Sequence, residues 1–352
     1  MFIKTFGFSI LASAAVLAAV GYYGGTELLI IAAILAVLEV SLSFDNAVVN
    51  ATVLQRMSPF WQRLFLTVGI LIAVLGMRLV FPILIVVFTA NLDFVSVVNL
   101  ALQEPAKYAE ALHLAHPSIA AFGGAFLMMI FLDFVFESRD IRWIAPLEKL
   151  LARIGATEAM SVIVTLVGLV VASSTYSNHS MEILLAGVFG LVTYLLVNGL
   201  AALFESQGDD EDEEFAGISG AAEKAKGVKL ATGKAAFFLF LYLEVLDASF
   251  SFDGVIGAFA ISNNVIIIAA GLGIGALFVR SLTIYLVRKG TLAEYVYLEH
   301  GAHYAIGALA VLLVVSVGVE IPEVVTGLIG VFFIVLALIS SIVRNKREVS
   351  VS

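Results

Sequence analysis

Apolar runs of about 20 residues, long enough to cross the hydrocarbon core of a bilayer as helices, recur from one end of this sequence to the other. Within lipid every backbone N–H and C=O must be bonded inside its own segment, which leaves helices for runs of this kind. Hydrophobic residues make up 61% of the chain and charged residues 13%, against about a quarter charged in a soluble domain. The sequence therefore reads as an all-α polytopic membrane protein. A lone signal peptide does not explain the pattern, because it continues to the C-terminus. We place ten spans at 6–22, 28–55, 64–90, 118–137, 159–175, 181–204, 235–261, 265–288, 302–319 and 323–343.

The basic residues test this count. Ten spans put Lys4, Arg56, Arg63, Arg139, Arg142, Lys149, Arg153, Lys224, Lys226, Lys229, Lys234, Arg288, Lys289, Arg344, Lys346 and Arg347 on one side, and only Lys107 on the other. That asymmetry is the positive-inside pattern. It predicts both termini in the cytoplasm and, for a bacterial chain, residence in the inner membrane. The net charge of −9 and the lack of a basic, aromatic-laced patch exclude nucleic acid as a partner. Cysteine is absent, which excludes disulfides, thiol catalysis and thiolate metal sites.

Two apolar spans carry acids in their middle. The first reads "LEVSLSFDNAVVNA" (38–51) and the second "DASFSFDGVIGA" (247–258). They align without gaps: Glu39 with Asp247, Ser41 with Ser249, Ser43 with Ser251, Phe44 with Phe252, Asp45 with Asp253. Each next span holds one deep arginine, Arg78 or Arg280, and each span after that opens with small residues, "AAFGGAFLMM" (120–129) and "AIGALAVLL" (305–313). Spans 2–4 thus repeat as spans 7–9. The offset of five is odd, so the two three-helix repeats are inverted in the membrane, an arrangement that many transporters use to build a midplane site. Glu39 and Asp247 each lie about 17 Å into their spans, near the bilayer centre. On an ideal helix Glu39, Ser43, Asn46 and Asn50 form one stripe, while Asp45 and Asp253 point about 120° away from it. Either those two face a second partner, or the helices break near Ser43 and Ser251.

A charge at the bilayer centre costs about 2.5–3.5 kcal/mol or more. Five acids (Glu39, Asp45, Glu244, Asp247 and Asp253) face two internal bases, Arg78 and Arg280. Protons or a bound cation must make up the difference. The donors are oxygens from carboxylates, from Ser43 and Ser251, and from the Asn46 amide, a set that suits hard divalent ions such as Mn²⁺, Ca²⁺ or Mg²⁺. Helix-to-helix hydrogen bonding alone is the competing reading, although membrane proteins make such bonds mostly with Ser, Thr, Asn or Gln. No HExxH, GxSxG or Walker loop is present, so no enzyme chemistry and no prosthetic group are expected.

Away from the acid motifs, residues 91–117 read as an outer, non-spanning stretch interrupted by Pro105, and 144–154 as an amphipathic helix on the inner surface. Asp133 and Glu137 line a cytoplasmic vestibule or end a helix. Glu299, His300 and His303 meet water and headgroups. Arg280 is close enough to the inner end to reach water. The Gly-rich 269–278 permits close helix packing. Residues 205–234, with "DDEDEE" at 209–214, read as a solvated linker. The divisions are an N-terminal helix (1–27), repeat 1 (28–137), an interfacial helix with two connecting spans (138–204), the acidic cytoplasmic linker (205–234), repeat 2 (235–319) and a last span with its tail (320–352).

At "LEVSLSFDNA" (38–47) and "EVLDASFSFD" (244–253) the chain resembles the TerC-type integral membrane family, associated with tellurium resistance and placed near the lysine-exporter superfamily. "FVRSLTIYLVRKGT" and "YVYLEHGAHYAIGALA" look like a branch catalogued as a domain of unknown function. The resemblance implies export of a divalent metal, chiefly manganese, with Glu39, Asp45, Asn46, Glu244, Asp247 and Asp253 as the ion site. This chain departs from that pattern at Gly254, where the family commonly has Ser. The leading expectation is a secondary transporter exporting Mn²⁺, with Ca²⁺ as the next candidate and protons as coupling ion. The alternatives are a small-solute or amino-acid exporter, and a membrane scaffold in a metal or tellurite stress response.

Overall fold

The computed structural model describes residues 2–155, 159–176, 180–216, 230–262, 264–289, 294–319 and 321–351. Within them, the side chains of 2–4, 41, 42, 44, 45, 66, 89, 176, 202–216, 252, 253, 256, 257, 260, 289, 323, 324, 327 and 348–351 lie outside the description. The described chain is almost entirely helical: α1 (Phe2–Leu42), α2 (Phe44–Leu54), α3 (59–90), α4 (Phe94–Gln103), α5 (Pro105–Phe136), α6 (Ala145–Ile154), α7 (Met160–Tyr176), α8 (Ser180–Ala216), α9 (Gly233–Ile261), α10 (Val265–Lys289), α11 (Leu298–Ser316) and α12 (Glu323–Val351). Among the described residues, seven stretches are long and apolar enough to cross a membrane by length and composition alone. This is a polytopic all-α membrane protein.

The unbroken look of α1 conceals two crossings. Gly25 has φ 76° and ψ −176°, a conformation reserved for glycine. Before it, Phe6 stacks near Tyr285 at 5.9 Å and Ser9 Oγ lies 2.6 Å from Ser281 Oγ, while Val20 clusters with Ile267. Beyond it, Gly271 abuts Leu35 and Gly275 abuts Glu39. Contacts thus climb α10 toward its N-terminal end and then descend again, so α1 is a hairpin folded at Gly25. Tyr22 and Tyr23 stand exposed at its tip, where amphipathic rings suit a membrane interface. The hairpin supplies spans 1 and 2. α7 is a shorter apolar helix, and α9 carries the second acid motif.

Each helix of repeat 1 packs antiparallel on its counterpart in repeat 2. On α3 and α10, Gly69 meets Arg280 and Val74 meets Gly273. On α5 and α11, Gly124 meets Leu313 and Val314 while Phe131 meets Gly307. The two small-residue stretches noted in the sequence therefore face one another, where the absence of side chains lets the backbones approach. This is the packing that a two-fold axis in the membrane plane produces.

Three local features differ from the sequence reading or add to it. Residues 91–117 are helical on both sides of Pro105: α4 fills 94–103, and α5 begins at Pro105 and runs through Pro117 to Phe136. Pro105 starts the helix because its missing N–H falls where no intrahelical partner exists anyway. Residues 205–216, expected as solvated linker, continue α8 with helical backbone through the acidic run; residues 217–229 lie outside the description. The helix break, one of the two alternatives at the motifs, occurs at the first of them. Ser43 leaves helical geometry, with φ −100° and ψ 18°, whereas α9 passes through Ser251 unbroken.

The amphipathic helix at 144–154 is present as α6, and a buried carboxylate holds it. Glu148 Oε1 accepts the backbone N–H groups of Trp143 (3.3 Å) and Ile144 (3.1 Å) and the Tyr304 hydroxyl at 3.2 Å. It thereby satisfies donors at the start of its own helix and ties α6 to α11.

Candidate functional site

The two acid motifs meet at the centre of the protein. Asn46 on α2 donates from Nδ2 to Asp247 Oδ1 on α9 at 2.8 Å. In the repeat, Asn46 corresponds to Gly254 and Asp247 to Glu39. The reciprocal contact is present as well: a Cβ added at Gly254 would stand 3.1 Å from Glu39 Oε2. One interaction is thus made twice, with an amide on one side and an empty position on the other. Glu39, Ser43, Asn46 and Asn50 are all buried, as the polar stripe on α1 and α2 requires.

Both arginines enter this cluster. Arg78 Nη2 bonds Glu39 Oε1, Nη1 lies 3.8 Å from Asp247 Oδ2, and Nη1 also donates to the Ala73 carbonyl at 2.6 Å. Arg280 does not reach toward water; of the two readings open to it, it takes that of internal counter-charge. Its fork grips Glu244, with Nη1 to Oε1 at 3.1 Å and Nη2 to Oε2 at 3.2 Å, and Nη2 reaches Asp247 Oδ2 at 3.4 Å. Phe65 supports it twice: the guanidinium carbon lies 3.9 Å from the ring centroid, and Nη1 donates to the Phe65 carbonyl at 3.4 Å. A bidentate guanidinium–carboxylate pair under an aromatic face is a favourable way to keep two charges out of water.

The cluster holds three described carboxylates (Glu39, Glu244 and Asp247) and two guanidinium groups, all at most 5% exposed. Negative charge is in excess by one if all are ionised. Among the described residues, several buried polar atoms have no hydrogen-bond partner: both amide atoms of Asn50, Ser251 Oγ, Arg78 Nε and Arg280 Nε. Asp45 and Asp253 sit on the same two helices, but their side chains lie outside the description. Among the described residues no group of three or more His, Asp or Glu converges in a way that would by itself hold a metal.

Arg78 sits in irregular helix. Residues Phe65–Gly69 and Ile72–Val80 of α3 wind as π-helix. Pro82 follows four residues after Arg78 and removes the N–H that would bond the Arg78 carbonyl in α-register. Such π segments are rare and gather at functional positions. The sequence reading passed over this signal, although Pro82 was there to be read.

At the start of α11, His300 is buried and His303 half-buried. His300 is 3% exposed, with Nε2 3.1 Å from the Ile141 carbonyl and 3.8 Å from Glu148 Oε2. His303 stacks on Phe134 at 3.7 Å, and Arg139 covers the same ring at 4.0 Å while pairing with Glu299 at 3.3 Å. Asp133 accepts the Tyr194 hydroxyl at 2.6 Å, and Glu137 pairs with Arg139 at 2.6 Å. Neither of these two acids joins the central cluster through a described contact.

No curated protein and no solved structure matches the chain. One family does: the model described as "Protein of unknown function (DUF475)" covers residues 44–348, a region that takes in most of both repeats and both arginines. The chain belongs to this family.

Proposed function

We propose that the protein is a secondary transporter that exports a divalent metal cation, Mn²⁺ first and Ca²⁺ second, with protons as the counter-ion. The observation that carries this reading is the meeting of Glu39 and Asp247, equivalent acids of two inverted repeats, in one buried cluster with surplus negative charge. A surplus at that depth is costly unless an ion or proton answers it. The oxygen-only donor set favours a hard cation, and the resemblance to TerC-type proteins points the same way. Asp45, at the start of α2, and Asp253, on α9 six residues beyond Asp247, complete the proposed ligand set with Asn46 and Glu244.

The test is flux of Mn²⁺, Ca²⁺, Mg²⁺ and Zn²⁺ into proteoliposomes, with lysine as a solute control. Saturable Mn²⁺ flux is expected, and Asp45→Asn or Asp253→Asn is expected to reduce it by at least about a hundredfold while the protein stays folded, because charge is what draws a hard cation out of its water shell. Lysine flux without metal flux selects the solute exporter; no flux of either selects the scaffold.

We place both termini in the cytoplasm of a bacterial inner membrane, on the distribution of basic residues. The chain has no cysteine, so single cysteines can be introduced cleanly. Ser262→Cys is expected to react with an impermeant maleimide from outside, and Lys346→Cys only after permeabilisation. The opposite pattern overturns the orientation.

A further inference from the structure

We propose that Arg78 is a built-in competitor for the cation: its guanidinium occupies Glu39 and Asp247 when no ion is bound and must swing away for an ion to enter. This rests on the transport reading above and assigns a regulatory part to one residue of that site.

The argument begins with an inequality between the repeats. Glu244, three residues before Asp247, has Ala36 as its counterpart three residues before Glu39. The extra acid takes both forks of Arg280. Arg280 and Glu244 thus form a pair that is neutral in sum, buttressed by the Phe65 ring and carbonyl. Arg78 has no such private partner. It is the group that links the two repeat-equivalent acids, bonded to Glu39 and 3.8 Å from Asp247. A divalent ion held by those carboxylates would lie against a resident positive charge. Like charges at that range in a low-dielectric interior repel strongly, so the two cations exclude one another.

The surroundings suit an exchange. Apart from the two acids, the described partner of the Arg78 guanidinium is the Ala73 carbonyl, on its own helix, whereas Arg280 is also braced by Phe65. Arg78 rides on the π-wound segment Ile72–Val80 just ahead of Pro82. A return from π to α winding in the preceding turn would rotate the side chain about the helix axis by roughly 100°, one residue's worth. Asn50 and Ser251, buried and without partners, are neutral oxygen donors on the same two acid-bearing helices. Competition of this kind lowers apparent affinity by the fraction of time the site is open and supplies a means of release, since the returning arginine ejects the ion.

The experiment is Mn²⁺ titration of the purified full chain in detergent, by calorimetry and by thermal shift, for wild type, Arg78→Gln and Arg78→Lys. If the arginine holds the acids at least nine-tenths of the time, Arg78→Gln binds Mn²⁺ about tenfold tighter or more. Its flux in proteoliposomes falls, because release is lost. Arg78→Lys, a point charge that cannot fork across both acids, shows an intermediate gain and keeps the test valid if the Gln variant does not fold. A purely structural arginine gives the opposite sign: equal or weaker Mn²⁺ binding in the variants overturns the proposal while leaving the transport reading intact. Absence of binding by wild type and variants alike overturns both.

Discussion

Arg280→Ala is expected to abolish a stable fold, and Glu244→Gln in the same chain is expected to restore much of it. Arg280 is 2% exposed and serves two buried carboxylates, Glu244 through both oxygens and Asp247 through one. Removing one partner of a buried ion pair costs about 3–5 kcal/mol, because the other charge stays behind unanswered. Against a typical net stability of about 5–15 kcal/mol, that is enough to lose most of the folded protein at moderate temperature. Neutralising Glu244 removes the charge that Arg280 balanced. Arg280→Lys is expected to fall between, since an ammonium cannot fork onto a carboxylate or lie flat against Phe65. Asp247→Asn is the informative contrast. It leaves two described acids with two arginines, so the ion-free protein is expected to keep its melting temperature even though the proposed cation would lose a ligand. Melting temperature in detergent, with size-exclusion profile, reads all four variants. A wild-type melt for Arg280→Ala would show that the pair contributes little and that the charge accounting above is wrong.

The all-helical, membrane-spanning character of this fold was legible because hydrophobic length is a long-range signal that no single residue can spoil. The repeat was legible for a different reason: acids in lipid are rare enough that two aligned copies stand out from the apolar background. What stayed hidden was set by partners rather than by pattern. The destination of Arg280 depended on Glu244, a residue that lies 36 positions away in sequence, and snorkelling was the natural reading of its distance from the inner end. The histidines at 300 and 303 looked solvent-facing for the same reason; Glu148, Phe134 and the Ile141 carbonyl enclose them, and all three come from the other half of the chain. The interruption read at Pro105 is a boundary between two helices, at which the proline starts the second. The one-sided break at Ser43 shows how far a repeat can be trusted. Sequence equivalence carried over the contact between Asn46 and Asp247 to Gly254 and Glu39, but not the local backbone that delivers it.

Gly275→Ala, the smallest change that a glycine can undergo, is expected to be among the most damaging single substitutions in the chain. Gly275 on α10 lies against the C-terminal arm of the α1 hairpin, where a Cβ would overlap the Cβ and Cγ of Glu39 and stand 3.2 Å from the Ala36 carbonyl. Gly271, one turn earlier, meets Leu35 and the Ala32 carbonyl in the same way, so the two glycines form a smooth track along which the hairpin arm lies. The added methyl cannot be relieved by a rotamer change alone, because the obstructing atom nearest the backbone is itself a Cβ. Either the helices separate, at the roughly 1–3 kcal/mol typical of overpacking, or Glu39 is displaced from Arg78 and a buried pair is broken, at about 3–5 kcal/mol. Gly254→Ala tests the same carboxylate from the other side and is expected to be mild. There the nearest atom is Glu39 Oε2 at 3.1 Å, the far end of a side chain that can yield by a few tenths of an ångström. The two variants therefore separate backbone approach from carboxylate position. A lower melting temperature together with weakened Mn²⁺ binding in Gly275→Ala, beside near-wild-type behaviour in Gly254→Ala, is the expected pair of results. Equal tolerance of both would mean that the hairpin arm and α10 are not held at this distance, and that the glycine track does not set the depth at which Glu39 meets Arg78.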